Sequence, residues 1–454
     1  VLNETAVFFK SPLPDTGEAR YSGRNDKCYL NDGRTLAYLI ADYNADVAQA
    51  KAAQAFRVGS VFSNIKVLAE RNSTNTDGSS RREIDVEFDA AFGDGTKVEA
   101  ATETLIYGSS FGSCATPDSR NEWRFFGNRR LVSVGLQARN NLEDRYLIAN
   151  GVAASPAQFW RRDIRFVVTD PLGNADYVVV TGPGPQAAGG KPFSIKLLSP
   201  KISRDAAEMQ SKVGNANWRD VDSFRWCSLA PGITTPPDAE VADCVTNGVA
   251  GDNWGFGVFD RSAANLAAGD TGFANQGWVA GGVYTFKVYK DDGWKTVNGQ
   301  ATKTPIATYT ATLKALPYTF VEMDAAIPGS TESRYGGFTS SAQTPVQIAD
   351  ALKDAGVSSA MTWARATLPA SGGKPMTLSN LYVFGQGPKV GNAAGANFPR
   401  IRQISFTYPG GSATSATVQF DGKPADMQTK IYSETAIEYT DRNGNLIRSL
   451  LVFQ

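Results

Sequence analysis

Seven consecutive residues, Glu83-Ile84-Asp85-Val86-Glu87-Phe88-Asp89, alternate acidic and apolar side chains without a break. On a strand this period of two puts four carboxylates on one face and three apolar groups on the other. Carboxylates two apart on one face suit weak calcium binding, with Glu83, Asp85, Glu87 and Asp89 as the ligands, or the carboxylate pair of a glycosidase, with Glu83, Asp85 and Glu87 as candidates. Arg81, Arg82, Lys97 and Arg124 are available as cross-strand partners, and that pairing would make the row a neutral, solvated surface. A second set of residues suits carbohydrate. Six of the eight tryptophans (Trp160, Trp218, Trp226, Trp254, Trp278 and Trp294) fall between residues 153 and 320, and flat aromatic rings with a polar edge stack on sugars. Trp254, Trp278 and Trp294 are the ligand-binding candidates. Trp294 follows Asp291-Asp292-Gly293 at a predicted hairpin tip, and Asp252 and Asp260 flank Trp254. Trp226, beside Cys227, is expected in the core.

The chain contains no histidine, which removes Ser-His-Asp and Cys-His catalysis, His-ligated metals and the HExxH protease from consideration. No catalytic residue is therefore assigned, and neither a cofactor nor a transition metal is expected. Forty-five basic residues balance 45 acidic ones, so no net field steers nucleic acid to the chain. No run of 18 apolar residues marks a transmembrane segment. The four cysteines, Cys28, Cys114, Cys227 and Cys244, lack the close spacing of a metal site. Four cysteines allow three connectivities, and spacing alone selects none. Their grouping suits two local disulfides, Cys28 with Cys114 and Cys227 with Cys244, in an oxidising compartment. The apolar, uncharged start at Val1 is what a processed, exported chain would show.

The elements that must position these residues read as mainly β. At 454 residues the chain should form about three domains: an α+β domain over 1–152, a β-sandwich with insertions over 153–320, and a β-rich domain with one short helix over 321–454. In the first, apolar positions at spacings of three and four predict one amphipathic helix over 35–56, started near Asp32-Gly33. Strands are expected over 58–70, 82–90, 97–107, 122–126 and 130–139, and Gly93-Asp94-Gly95-Thr96 should turn the second into the third. A helix laid on that antiparallel sheet buries both apolar faces. A short helical turn is expected over 158–161 behind Pro156.

In the middle region strands are expected over 164–168, 177–181, 193–198, 222–228, 254–259, 283–289 and 306–313. A helix over 203–213 and a long, turn-rich excursion over 234–275 interrupt them. In the last region Thr344-Pro345 should open a short helix that stops at Gly356, followed by strands over 358–367, 379–384, 400–408, 416–420, 430–440 and 446–453. Asp441-Arg442-Asn443-Gly444-Asn445 is not an EF-hand, because the twelfth position is Val452. Asn443-Gly444 is instead the turn of a hairpin.

The runs Ile164-Arg165-Phe166-Val167-Val168-Thr169-Asp170-Pro171 and Tyr177-Val178-Val179-Val180-Thr181-Gly182-Pro183-Gly184-Pro185 resemble stretches in exported proteins and lipoproteins of proteobacteria that carry immunoglobulin-like sandwich domains. Glu122-Trp123-Arg124-Phe125-Phe126-Gly127-Asn128-Arg129-Arg130 is similar to a segment of the same group. The resemblance covers about a third of the chain and implies immunoglobulin-like sandwiches and no catalytic residues. The lipid-attachment cysteine of such lipoproteins is not among the opening residues. The expectation is a non-enzymatic structural or interaction protein at the cell surface or outside the cell. The alternative is a carbohydrate-binding or carboxylate-dependent carbohydrate-active protein with a glycan partner. Residues 1–10 (VLNETAVFFK) are expected to dock as a strand in their own domain. Were they to complete a neighbour's sheet instead, the chain would self-associate into a filament or surface layer.

Overall fold

The computed structural model describes residues 12–25, 27–74, 78, 80–93, 97–107, 114, 123–146, 148–149, 152–153, 157–158, 160–187, 191–199, 225–226, 251–252, 255–260, 266–290, 304–326, 337–338, 358–362, 377–386, 400–406, 415–420, 432–441 and 445–453. The architecture is mainly β, in several sheets with predominantly antiparallel pairing. Calls on residues 1–10, 203–213 and 344–356, on Trp218, Trp254 and Trp294, and on Cys227 and Cys244 lie outside the described residues.

The N-terminal unit begins with helix α1 (Gly17–Arg20), strands β1 (Leu30–Asn31) and β2 (Arg34–Thr35), helices α2 (Leu36–Ala45) and α3 (Val47–Gln54) and a 3-10 turn over Ala55–Arg57. Asp32 (φ 48°) and Gly33 (φ 79°) do not start the helix. With both residues at positive φ they form the two-residue turn between β1 and β2, where Leu30 faces Thr35. Thr35 is the N-cap, its Oγ1 accepting from the Tyr38 N–H at 3.2 Å. The single helix expected over 35–56 is broken at Asp46, whose backbone (φ −151°, ψ 87°) is not helical. Strands β3 (Val61–Thr74), β4 (Ser80–Ala91), β5 (Lys97–Tyr107) and β6 (Trp123–Phe125) then form a four-stranded antiparallel sheet in chain order. The disulfide Cys28–Cys114, with Cα atoms 5.3 Å apart, ties the segment before β1 to the segment between β5 and β6.

The middle of the chain supplies β7 (Ser133–Tyr146), β8 (Ile148–Ala149), β9 (Val152–Ala153), β10 (Ala157–Gln158), β11 (Trp160–Thr169), β12 (Tyr177–Ala187), β13 (Lys191–Leu198), β14 (Arg225–Trp226), β15 (Gly251–Asp252), β16 (Gly255–Asp260), α4 (Leu266–Ala274), β17 (Val283–Tyr289), β18 (Ala307–Thr312) and α5 (Phe320–Ala326). Where a helical turn is expected over 158–161, the described residues are strand: Gln158 pairs with β7, Trp160 and Arg161 pair with β16, and Arg161 also pairs with β7. Ladder pairing with the neighbouring strands outweighs the local start signal at Pro156. The excursion over 234–275 holds β15, β16 and α4. Helix α5 went unread although Thr319 and Glu322 form a capping box: the Glu322 N–H donates to Thr319 Oγ1 (3.1 Å) and the Thr319 N–H to Glu322 Oε2 (2.8 Å).

Strands β14-β13-β12-β17-β18 make one sheet, in that order, and it packs on β7 and β11. The shared core holds Val134, Ile164, Phe166 and Val168 from one layer and Val178, Val180, Phe193, Tyr284, Phe286 and Val288 from the other. Each large apolar side chain buried in this way contributes roughly 1.5–3 kcal/mol. The chain crosses between layers as it goes, so β16 returns beside β11 and β17 beside β12.

The last region adds β19 (Gly337–Phe338), β20 (Ser358–Thr362), β21 (Thr377–Gln386), β22 (Arg400–Phe406), β23 (Ser415–Phe420), β24 (Tyr432–Thr440) and β25 (Leu446–Phe453). Among the described residues the order β15-β16-β11-β7-β25-β24-β21-β22-β23-β20-β19, with β10 on β7, forms one twelve-stranded sheet. Strand β25 lies parallel to β7, with Leu446 beside Arg139 and Phe453 beside Tyr146. This ladder runs through both boundaries expected from composition, at 152 and at 320, so the first, middle and last segments share one hydrogen-bonded framework.

Candidate functional site

The acidic row sits where its alternation places it. Val86 and Phe88 are buried in the sheet's apolar cluster, and Glu83, Asp85, Glu87 and Asp89 lie on the other face. Each carboxylate there has a donor. Arg71 reaches Glu83 Oε2 through Nε (2.8 Å) and Asp85 Oδ1 through Nη2 (3.1 Å). Arg81 closes on the other oxygen of Glu83, and Thr104 Oγ1 donates to Asp85 (2.7 Å). Lys66 Nζ donates to Glu87 at 3.0 Å. Asp89 accepts from Asn64 Nδ2 (2.6 Å) and from the Ala100 N–H (2.9 Å).

The Arg71 guanidinium holds the Asp85 carboxyl below the usual carboxylate range, with Thr104 adding to the effect. The Ala100 N–H and Asn64 do the same for Asp89. Hydrogen bonding to Glu87 raises the Lys66 ammonium in turn. The row is therefore a ladder in which Glu83, Asp85 and Glu87 meet cations and Asp89 meets neutral donors. Among the described residues no three His, Cys, Asp or Glu side chains are grouped to hold a metal ion.

Of the partners expected from sequence, Arg81 serves the row. Arg82 pairs with Glu70 and lies 5.4 Å from the Trp123 ring centroid, and Arg124 Nη1 donates to Ser22 O at 3.1 Å. Lys66 and Arg71 come from β3, whose pairing with β4 shifts register between Ser63 and Lys66 and again between Val67 and Ala69. Two bulges reset which side chains face the acids, and simple alternation along β3 does not show it.

Among the described residues the carbohydrate candidates are not brought together. Asp252 pairs with Gly255 at one end of β16 and Asp260 with Trp160 at the other. Five residues of strand separate those ends by about 17 Å, well beyond the roughly 5–9.5 Å of a glycosidase pair. Trp278, taken as a ligand-binding ring, is instead a core residue with 6% exposure. Its ring lies 5.1 Å from that of Phe193 and 6.2 Å from that of Phe166, and its Nε1–H donates to Gln276 Oε1 at 2.8 Å. Trp160 is 1% exposed. A buried ring has no face left for a sugar.

The sheet's apolar face carries polar groups that sequence reading missed. Glu103 pairs with Val86 across β4 and β5, and so shares the face of Leu105, which itself pairs with Phe125. The signal was present, since Glu103 lies two residues after Ala101 and two before Leu105 on a period-two strand. Burial pushes its carboxyl up to about 7; Arg24 opposes the shift and Asp32 adds to it. The Arg24 guanidinium lies 4.6 Å from the Tyr21 ring centroid, 5.3 Å from that of Tyr29 and 5.9 Å from that of Phe125. Its Nε is buried without a hydrogen-bond partner. Arg20, 4% exposed, donates from Nε to Gln54 Oε1 at 2.9 Å. Burial, with help from Arg24 and Arg57, lowers its guanidinium to about 10. Burial also raises the Tyr29 phenol.

Set against family models and curated proteins, the chain matches none of them significantly.

Proposed function

We propose that this chain is a non-enzymatic structural or interaction protein, exported to the bacterial cell surface or beyond, with a sandwich of the immunoglobulin-like kind at its centre. The observation that carries this reading is the acidic row. Its carboxylates are matched to Arg71, Arg81, Lys66 and backbone or side-chain donors, so none is left as the free acid and base pair that hydrolysis requires. The Cys28–Cys114 disulfide is compatible with an oxidising compartment. Among the described residues no helix is long and apolar enough to cross a membrane.

Contact with other chains has a natural place on β3, the edge of its sheet. Val61, Ile65, Val67 and Leu68 there are 56%, 48%, 62% and 53% exposed, and such an edge is a template for strand pairing. Assembly of identical chains through residues 1–10 is the sharpest form of the proposal. The test is sedimentation of the full chain and of a variant lacking residues 1–10. Concentration-dependent polymers that vanish on deletion support it. A wild-type chain that stays monomeric, or assembly unchanged by the deletion, removes it. Reducing ends released from a polysaccharide panel, and lost in Asp85→Asn, would favour the carbohydrate-active alternative instead.

A further inference from the structure

Strand β18 ends its sheet. β17 pairs with one side of it, and among the described residues no strand pairs with the other. An open edge presents a row of backbone donors and acceptors to any strand that fits, and chains commonly guard such edges with bulges, proline or charge. The six residues Ala307-Thr308-Tyr309-Thr310-Ala311-Thr312 carry no charge and no proline, and they pair with β17 without a register shift. Threonine and tyrosine favour strand.

The core is incomplete along this edge. Val288, Phe286 and Tyr284 on β17 are 0% exposed, whereas their cross-strand partners Ala307, Tyr309 and Ala311 on the same face are only half-buried. Thr308, Thr310 and Thr312 are exposed on the other face. Val283, which pairs with Thr312, is 56% exposed, and Ile306, just before the strand, is 43% exposed. In the same register the Leu313 N–H donates to Gly282 O at 2.9 Å. Alternation along an antiparallel ladder then turns the backbone groups of Ala307, Tyr309 and Ala311 toward β17, and those of Thr308, Thr310 and Thr312 toward the open side.

We propose that β18 is a homodimer edge, to which a second copy of this chain adds its own β18 antiparallel about a two-fold axis through Tyr309. The run Ala307-Thr308-Tyr309-Thr310-Ala311 reads the same in both directions, so each residue meets its like: Ala307 lies opposite Ala311, Thr308 opposite Thr310 and Tyr309 opposite itself. The two Thr308–Thr310 pairs use the outward backbone groups and form about four hydrogen bonds. An axis normal to the sheet keeps threonines with threonines and core side chains with core side chains, whereas a parallel mate related by a two-fold would turn one sheet over. The half-buried Ala307, Tyr309 and Ala311 are then covered, and Ile306 of one copy comes alongside the Thr312–Val283 corner of the other.

Charge does not oppose this pairing within the new ladder, because β18 has none and Lys287, which pairs with Thr308, stays one strand away. Six residues a side fall well short of the roughly 20–30 a side of a standard interface. The dimer is therefore weak and reversible, with Kd on the order of 1–100 µM. This contact deepens the interaction-protein reading and rests on it, but it uses neither β3 nor residues 1–10. Being isologous, it closes as a dimer and does not by itself make a filament.

The test is sedimentation velocity of the oxidised full chain, and of the chain lacking residues 1–10, over a concentration series. A reversible dimer in both is the expected result. Thr308→Lys combined with Thr310→Lys, and Thr308→Glu combined with Thr310→Glu, change exposed side chains only. Each double variant should keep the parent circular dichroism and dimerise at least about tenfold more weakly, because like charges then lie opposite each other. Mixing the two should restore dimers, with each lysine opposite a glutamate. Single changes read the register: Thr308→Glu mixed with Thr310→Lys should give more heterodimer than Thr308→Glu mixed with Thr308→Lys. A dimer lost on deleting residues 1–10, or unmoved by the lysine pair, overturns this interface and leaves assembly through residues 1–10 standing. No restoration on mixing also overturns it, and a chain monomeric in every form overturns it together with self-assembly.

Discussion

Arg139 on β7 and Asp163 on β11 stand directly opposite each other in the ladder, and the guanidinium grips the carboxylate through Nε to Oδ1 and Nη2 to Oδ2, both at 2.9 Å. Asp163 has no exposed surface, and Arg161 Nε adds a second ion pair at 2.5 Å. Arg448 of β25 shares the face, and burial together with Arg139 brings its guanidinium to about 10. Removing one partner of a buried pair strands the other charge. Asp163→Ala should therefore cost about 3–5 kcal/mol in urea unfolding. Asp163→Leu combined with Arg139→Met should cost clearly less than the sum of the two single changes.

Cys28 and Cys114 are 86 residues apart in sequence, so their bond shortens a long loop of the unfolded chain. In the chain-entropy account that is worth about 4–5 kcal/mol. Changing both to serine should lower the unfolding midpoint by a corresponding amount. A non-reduced digest should show the Cys28–Cys114 peptide pair, and is also the check on Cys227 with Cys244.

Burial pushes the Glu103 carboxyl from its usual 4.5 up to about 7 in the folded chain. The folded chain thus keeps a proton that the unfolded chain releases between those values. Its stabilising contribution is complete below the unfolded pKa and is lost as pH rises through the folded one. Glu103→Gln should leave stability nearly unchanged at pH 4 and raise it at pH 8, by on the order of 1–3 kcal/mol. Paired thermal unfolding at the two pH values measures the difference.

Gly127 has φ 77°, and a Cβ there would lie 2.2 Å from the Leu30 carbonyl oxygen. That neighbour is backbone on β1 and cannot step aside. Gly127→Ala should destabilise by about 1–3 kcal/mol or more, visible as a lower urea midpoint, whereas Gly78→Ala, with no atom within 4 Å but also at positive φ, should suffer the backbone strain alone.

Trp278→Ala should act on stability and not on recognition. Emptying a site bounded by Phe166, Phe193 and Tyr284 should cost about 3–5 kcal/mol. Glycan-array binding by Trp278→Phe, which keeps most of the packing, should match that of the parent chain.

Local pattern was enough to place much of this architecture. Strands β5 and β25 have the boundaries expected from their flanking turns, because glycine and asparagine at a turn and alternation along a strand are properties of a few adjacent residues. The separation of acids from Val86 and Phe88 followed from period two alone. The pairing of Cys28 with Cys114 was among the options the spacing left open. Tertiary structure decided what covers each face and which distant strands meet. It set β25 parallel to β7, brought Lys66 and Arg71 onto the acids through two bulges, buried Trp278 in the core shared by two sheet layers, and left Glu103 on the apolar face of its sheet within reach of the Arg24 charge. None of these is local. Each depends on residues far apart in the chain occupying one small volume, where burial and the charge of a neighbour settle what a side chain can do.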